Sequence, residues 1–462
     1  MQNPTDTTPL IERNKHRRIA KSLRLVAVVA VGGLIAAACG SSSPSATKKS
    51  SNSHSSTGSK SKSKSKSTTT TTGGSTTTTA AGGATTPTTT ATTTKPTTAA
   101  STGNGTTTTT TAAAAPSTPG GSLSANPTSS PSAALTGIGA SSIEPFYGKV
   151  LYQYNKLNSG VTVNFTGSGS GPGVTAIEQD TANFGQSEVP MTAAQLAASK
   201  GPVLQVPVDL GGVAVSYHVS GVTGGLKLNG PVLADIYLRK ITNWNDPAIA
   251  ALNPGTTLPN ENIIPVFRSD TSGPGYDLDQ YLIDTSTDWT GAIGATSPST
   301  TWPTAGRATG DSGEDLNAGV ANYIQETEGA IGYVEYSYAL EANFTNAALL
   351  TKSNTYVTPS VSSIASAGAT ATSLSSTNFN IIWSAGSSAY PLANFSWALI
   401  YQKQSTTNTG IVLGKLFQWV TTSGQSYSSG LGYAPLPSIA ANLAHSTLLG
   451  LQTASGSPIF TN

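Results

Sequence analysis

From residue 143 onward, apolar positions recur with two alternating periods. Ile143, Phe146, Val150, Leu151, Tyr154 and Leu157 fall three or four apart, which is one face of a helix. VTVNF at 161–165 alternates every second residue, which is a strand with one face on a core. Further on, VLQVPVD and GVAVSYHV predict strands and PVLADIYLRKI a helix. IIPVFR at 263–268 predicts a strand, with a helix from about Pro274. Leu316, Val320, Tyr323 and Ile324 mark another helix, closed by Gly329 ahead of the strand AIGYVEY. Strands alternating with helices give a layered α/β fold with substantial parallel pairing. About 330 residues exceed one comfortable core, so the pattern predicts two lobes.

Punctuation inside this pattern draws attention to one tetrapeptide used twice. SGPG ends TGSGSGPG at 166–173 and RSDTSGPG at 268–275, each time between a predicted strand and a predicted helix. Proline suits the first helical position, where its missing N–H would be unpaired anyway, so composition alone reads SGPG as a helix-starting turn. The same geometry supports a second reading. Free N–H groups at a helix start, with a serine hydroxyl, make a seat for an oxyanion, and Arg268 adds a guanidinium fork matched to tetrahedral oxyanions.

The first 130 residues follow different rules. Residues 1–24 carry six Arg and Lys, and LVAVVAVGGLIAAA at 25–38 is an uncharged run too short to span a bilayer comfortably, so it reads as a signal-peptide core. It ends directly before Cys39, the chain's only cysteine, followed by GSSS. This resembles the lipobox of bacterial lipoproteins, with Ala36 where such boxes more often have Leu. The resemblance implies a lipidated Cys39 that anchors the mature protein to the outer face of the bacterial cytoplasmic membrane. A single cysteine excludes an intrachain disulfide. Residues 40–130 are almost wholly Ser, Thr, Ala, Gly and Pro, with SKSKSKSKS at 59–67, and they cannot bury a core. They predict a disordered tether, spanning about 55 Å as a flexible coil.

Charge divides at the same place. Of 24 Lys and Arg and 22 Asp and Glu, residues 1–130 hold 13 and 2, leaving 11 basic and 20 acidic residues in the folded part, about −9. Such a domain is a poor binder of nucleic acid by its field. If it binds an anion, local hydrogen bonds must do so. Enzyme chemistry finds little support. The folded part holds only His218 and His445, no HExxH, no GxSxG and no cysteine, so neither a metal nor a cofactor is implied, and His218 reads as a satisfied strand residue.

Several long strings carry a family resemblance: LTGIGASSIEPFY at 135–147, NFGQSEVPMT at 183–192, LADIYLRKITNWNDPAIAALNPG at 233–255, VFRSDTSGPGYDLDQYL at 266–282 and GVANYIQETEGAIGYVEYSYA at 319–339. On these the chain resembles the PstS family, the phosphate-binding lipoproteins of the bacterial Pst ABC transporter. The resemblance covers residues 133–462. It implies a two-lobed periplasmic-binding-protein fold of type II, with the ligand cleft between lobes: lobe I over 131–212, lobe II over 213–389 and a return to lobe I over 390–462. It implies an exported protein that captures inorganic phosphate and delivers it to permease subunits in the membrane. Its phosphate contacts carry over to Ser141, Ser142, Ser170 and Glu188 on one lobe and to Arg268, Ser272, Gly273 and Pro274 on the other, with Asp270 orienting the arginine.

Four departures qualify the carry-over. The family usually has Thr-Phe at Ser141-Ser142, Asp at Glu188, Thr at Pro274, and Gly or Ser at Pro172. Glu188 stands where the family's carboxylate accepts the proton of the bound phosphate and so repels sulfate. Pro274 removes one hydroxyl and one amide donor. These changes leave two other readings on the table: a wall-tethered protein of the same fold with weak or changed oxyanion binding, and a phosphatase.

Overall fold

The computed structural model of the chain describes residues 123–125, 132–294 and 312–461. The apolar run 25–38, Cys39 and nearly all of 40–130 lie outside the described residues. The exception corrects the expected tether. Leu123 is buried in the same cluster as Val161, Phe417 and Phe460, and Ser124 and Ala125 pair antiparallel with Thr461 and Phe460. A leucine in a Ser/Thr/Gly stretch is the side chain with enough apolar area to reward ordering.

The principal strands and helices follow the predicted order. The first half holds β1 (Ala133–Gly139), α1 (Glu144–Leu157), β2 (Val161–Gly167), α2 (Ser170–Glu178) and β3 (Phe184–Ser187). Next come β4 (Val203–Tyr217), α3 (Gly230–Tyr237), β5 (Ile264–Arg268) and α4 (Gly273–Thr285). The chain continues through β6 (Ser312–Glu314), α5 (Leu316–Glu326) and β7 (Ala330–Glu335). It closes with β8 (Ala393–Tyr401), α6 (Thr407–Thr421) and α7 (Ser438–Leu448). Helix α1 buries Phe146, Tyr147, Val150, Leu151 and Tyr154 as its spacing predicts, whereas Leu157, at its last turn, is exposed. Helix α3 stops before the expected LRKI because Arg239 takes a left-handed φ of 61°.

One mixed sheet runs β2-β1-β3-β8-β4-β7-β5-β6, with the short strand Thr345–Asn346 pairing off this path on β4. At each end the pairs are parallel, β1 with β2 and β3, and β5 with β6 and β7. Only the centre is antiparallel, where β8 and β4 return the chain. The sequence suggested two strands around 203–219, but β4 is one strand of 15 residues. It changes partner midway: up to Gly212 it pairs with β8, and from Val213 with β7. Gly211 and Gly212 permit this, since a Cβ on Gly211 would stand 2.5 Å from Glu335 Oε1, and the Gly212 N–H donates to that same oxygen at 3.0 Å. The protein is thus two-lobed, with β4 and β8 passing between the lobes. One apolar cluster runs along a face of both, from Ile177 through Leu210 and Phe395 to Trp244 and Trp289.

Candidate anion site between the lobes

The two SGPG turns meet. A Cβ on Gly171, in the first, would stand 2.7 Å from the Thr271 Cβ, and one on Gly169 would stand 2.8 Å from Asp270 Oδ2. Gly273, in the second, lies against the other lobe's carboxylate: its Cβ would fall 2.0 Å from Glu188 Oε2. Each turn opens a helix, α2 at Ser170 and α4 at Gly273, so two helix N-termini with their first-turn N–H groups face a common seam. Ser272 caps α4 by accepting from the Gly275 N–H at 3.1 Å. Its hydroxyl proton remains to be given elsewhere.

Arg268 ends β5 at this seam, with 1% of its side chain exposed. Asp270 holds it bidentately, Nε to Oδ1 at 2.6 Å and Nη2 to Oδ2 at 2.5 Å. The third nitrogen, Nη1, is buried without a partner. A guanidinium clamped on one edge and bare on the other is a fixed donor waiting for an acceptor. Asp270 is itself fixed, accepting from the Leu316 N–H at 3.1 Å. Ser142 Oγ and Ser168 Oγ are also buried and unpaired. Unmade hydrogen bonds in a buried place cost about 1–3 kcal/mol each, so such a group of donors calls for an anion or solvent.

The remaining sequence candidates divide. Ser170 Oγ accepts from the Glu188 N–H at 3.4 Å and keeps its proton to give. Ser141 Oγ likewise accepts, from Asn317 Nδ2 at 3.1 Å, while its carbonyl takes the Tyr338 hydroxyl at 2.9 Å. It ties the lobes together. Pro274 is buried in the first turn of α4. His218 is engaged away from the seam, by the Ile324 carbonyl at 3.1 Å and by Glu328 at 3.4 Å.

Behind Glu188 lies a feature the sequence reading missed. A small cavity is lined by Ser142, Glu188, Asp209, Asp277, Glu335 and Asn394, among others. These four carboxyls come from the loop after β3, from β4, from α4 and from the end of β7, and all are buried. Asn394 Nδ2 joins the lobes here, donating to the Glu188 carbonyl at 3.0 Å and to Asp277 Oδ1 at 2.9 Å. Burial raises the Glu188 carboxyl to about 7, against the opposing pull of the nearby Ser142 hydroxyl and Arg268 charge. Burial first, and the Glu188 charge next, hold Asp277 and Glu335 well above the carboxylate range. Asp209 is raised the same way, with the Leu210 N–H opposing. Asp209 sits in an apolar context, PVDLGG, and that was the available signal, whereas Asp277, in GYDLDQ beside Asp279 and Gln280, gave none.

Comparison with known proteins gives the family. The family description "PBP superfamily domain" matches residues 124–423. The phosphate-binding protein PstS of Pasteurella multocida is 38% identical over 306 residues, 66% of this chain and 86% of that protein. The chain belongs to the PstS family. Another member, the phosphate-binding protein PstS of Xylella fastidiosa, is 35% identical over 69% of this chain and 87% of its own. In fold, this PstS-family chain also resembles a high affinity periplasmic phosphate-binding protein (PfluDING) bound with phosphate. The TM-score is 0.57 at 19% identity, over 68% of this chain and 93% of the other.

Proposed function

We propose that this protein captures inorganic phosphate outside the cytoplasm and hands it to the permease of a phosphate ABC transporter. The observation that carries the reading is Arg268, buried, clamped by Asp270 and left with Nη1 unpaired where the two SGPG turns meet. Relatives named as phosphate-binding proteins support the choice of anion. In this reading Arg268 grips the phosphate, Ser142, Ser168, Ser170 and Ser272 donate hydroxyl protons, and the Gly273 N–H donates from the start of α4. Pro274 fixes that helix start without an N–H of its own. Glu188 meets the oxygen that carries the phosphate's proton. Ser141 Oγ accepts from Asn317 and, like Ser170 and Ser272, keeps its own proton to give.

Lobe boundaries at 212/213 and 389/390 belong to the same proposal. The change of β4's partner at Gly212 and Val213, and the start of β8 at Ala393, support them. Among the described residues no helix is long and apolar enough to cross a membrane. The lipidated Cys39 is proposed as the anchor, on the pattern of residues around it. Binding and release require no bond to break in the ligand, so catalysis has no part in the reading. Calorimetric titration of the full chain with sodium phosphate tests it, with small-angle scattering before and after saturation. Saturable one-to-one binding with compaction is expected. Absence of binding at every phosphate concentration up to the millimolar range would remove the reading.

A further inference from the structure

Glu188 belongs to two environments at once. On one side Gly273 is packed against its Oε2, at the anion seam. On the other it lines the acidic cavity. The charged and titratable groups around it, element by element, are Asp209 from β4, Arg268 from β5 with its partner Asp270, Asp277 from α4, Glu335 from β7, and Tyr433 from the segment before α7. Arg268 is the cation among them, and two of its three nitrogens are committed to Asp270.

The cavity is short of donors. Glu188 Oε2, Asp209 Oδ1, Asp277 Oδ2 and Asn394 Oδ1 are buried acceptors with no partner. Two hydroxyl protons, on Ser142 and Ser396, remain on its wall against these four acceptors, and the other side-chain donors are spent. Asn394 Nδ2 gives both hydrogens to the Glu188 carbonyl and Asp277 Oδ1. The Tyr433 hydroxyl is engaged by the Ser142 carbonyl and the Ser337 hydroxyl. No group of three or more acidic, His or Cys residues among the described residues is arranged to hold a metal ion. Protons supply the deficit. A protonated carboxyl becomes a donor to its neighbour, and each proton removes a buried charge that would otherwise lack a counter-ion.

We infer that this donor-poor acidic cavity lets Glu188 face the ligand with its proton on as pH falls, so that the site also takes a tetrahedral oxyanion carrying no proton, sulfate being the simplest. The inference rests on the phosphate-capture reading of the seam. A carboxylate there accepts a proton from hydrogen phosphate and repels sulfate, whereas a carboxylic acid donates to either. Asp209, Asp277 and Glu335 act as positioning residues: they reach the anion only through Glu188. The rise of the Glu188 carboxyl to about 7 puts the change inside the neutral range.

The test titrates the full chain with sodium phosphate and with sodium sulfate at pH 5.5, 6.5, 7.5 and 8.5 and constant ionic strength. Phosphate should bind throughout. Sulfate affinity should climb about tenfold per pH unit on the alkaline side, the slope for uptake of one proton, and level off on the acid side. Glu188→Gln should bind sulfate at pH 8.5 about as well as the unaltered chain does at pH 5.5, with no pH dependence. Asp277→Asn gives the cavity a donor and removes a carboxyl, which favours ionised Glu188, so the midpoint of the sulfate profile should move to lower pH. Phosphate binding with sulfate affinity absent or flat from pH 8.5 to 5.5 overturns this inference alone. Binding of neither anion overturns it together with the capture reading. A Glu188→Gln profile as steep as that of the unaltered chain assigns the proton to another group and also overturns it.

Discussion

The anion seam and the acidic cavity are neighbours sharing Glu188 and Ser142, yet they leave opposite things undone. At the seam the unpaired atoms include donors: Arg268 Nη1, Ser142 Oγ and Ser168 Oγ. In the cavity the unpaired atoms apart from Ser142 Oγ are acceptors, on Asp209, Asp277, Asn394 and Glu188. Burial does not distinguish them, since Arg268 and Asp277 are both nearly inaccessible. The sign of the missing partner does. The first surface offers donors that lack an acceptor, the second offers acceptors that lack a donor, and the two share Glu188.

The comparison is broken most directly at Arg268. Arg268→Ala removes the seam's fixed donor and leaves Asp270 without its partner, so phosphate affinity should fall by two to three decades, about 3–4 kcal/mol. Calorimetry giving the unaltered chain's affinity would show that the unpaired Nη1 does not meet the ligand.

Next in size is a pH effect of the cavity's carboxyls, Glu188 among them. The folded Glu188 carboxyl sits at about 7 against an ordinary 4.5, so between those values the folded state keeps a proton the unfolded state has lost. Stability is therefore greatest at the acid side and declines as pH rises through that window, by about 3 kcal/mol for this group if it titrates alone. Asp209, Asp277 and Glu335, also raised, add the same sign. Ligand-free melting temperature should fall between pH 5 and 8, and Asp277→Asn should flatten the fall. A melting temperature that rises over that range would mean the cavity's carboxyls are ionised and paired.

Gly171→Ala sharpens the link between the turns. The new methyl would meet Thr271 of the other lobe at 2.7 Å, so the lobes must part slightly, at about 1–2 kcal/mol of binding. Scattering in saturating phosphate should show incomplete compaction, and full compaction would separate the two turns from closure. Ser168→Ala is the smallest change. Losing one hydroxyl donor should cost about 1 kcal/mol of phosphate affinity while the pH profile of melting stays put. A changed melting profile with unchanged affinity would move Ser168 from the seam to the cavity.

Much of the fold was legible because local patterns and global packing agree. The 3.6-residue stripe of α1, the alternation of β2, and proline inside SGPG each specify an element that the core then accepts. The discrepancies lie where a tertiary partner decides. Strand β4 reads as two strands because Gly211-Gly212 looks like a break, yet β8 and β7 pair across it in succession. Residues 123–125 read as tether because one leucine among serines has no local period, and the strand that receives them lies at the far end of the chain.

The site shows the same division. Two copies of a helix-starting turn and an arginine two residues from an aspartate are sequence facts, and the fold brings them to one seam. That Ser141 holds Asn317, and that Asp209, Asp277 and Glu335 converge on Glu188, depend on positions separated by as many as 176 residues. Composition prescribes only a net acidic domain. Which of its carboxyls are stripped of water, and therefore keep their protons, is decided by the packing of the lobes, because desolvation belongs to a place in the fold rather than to a residue type.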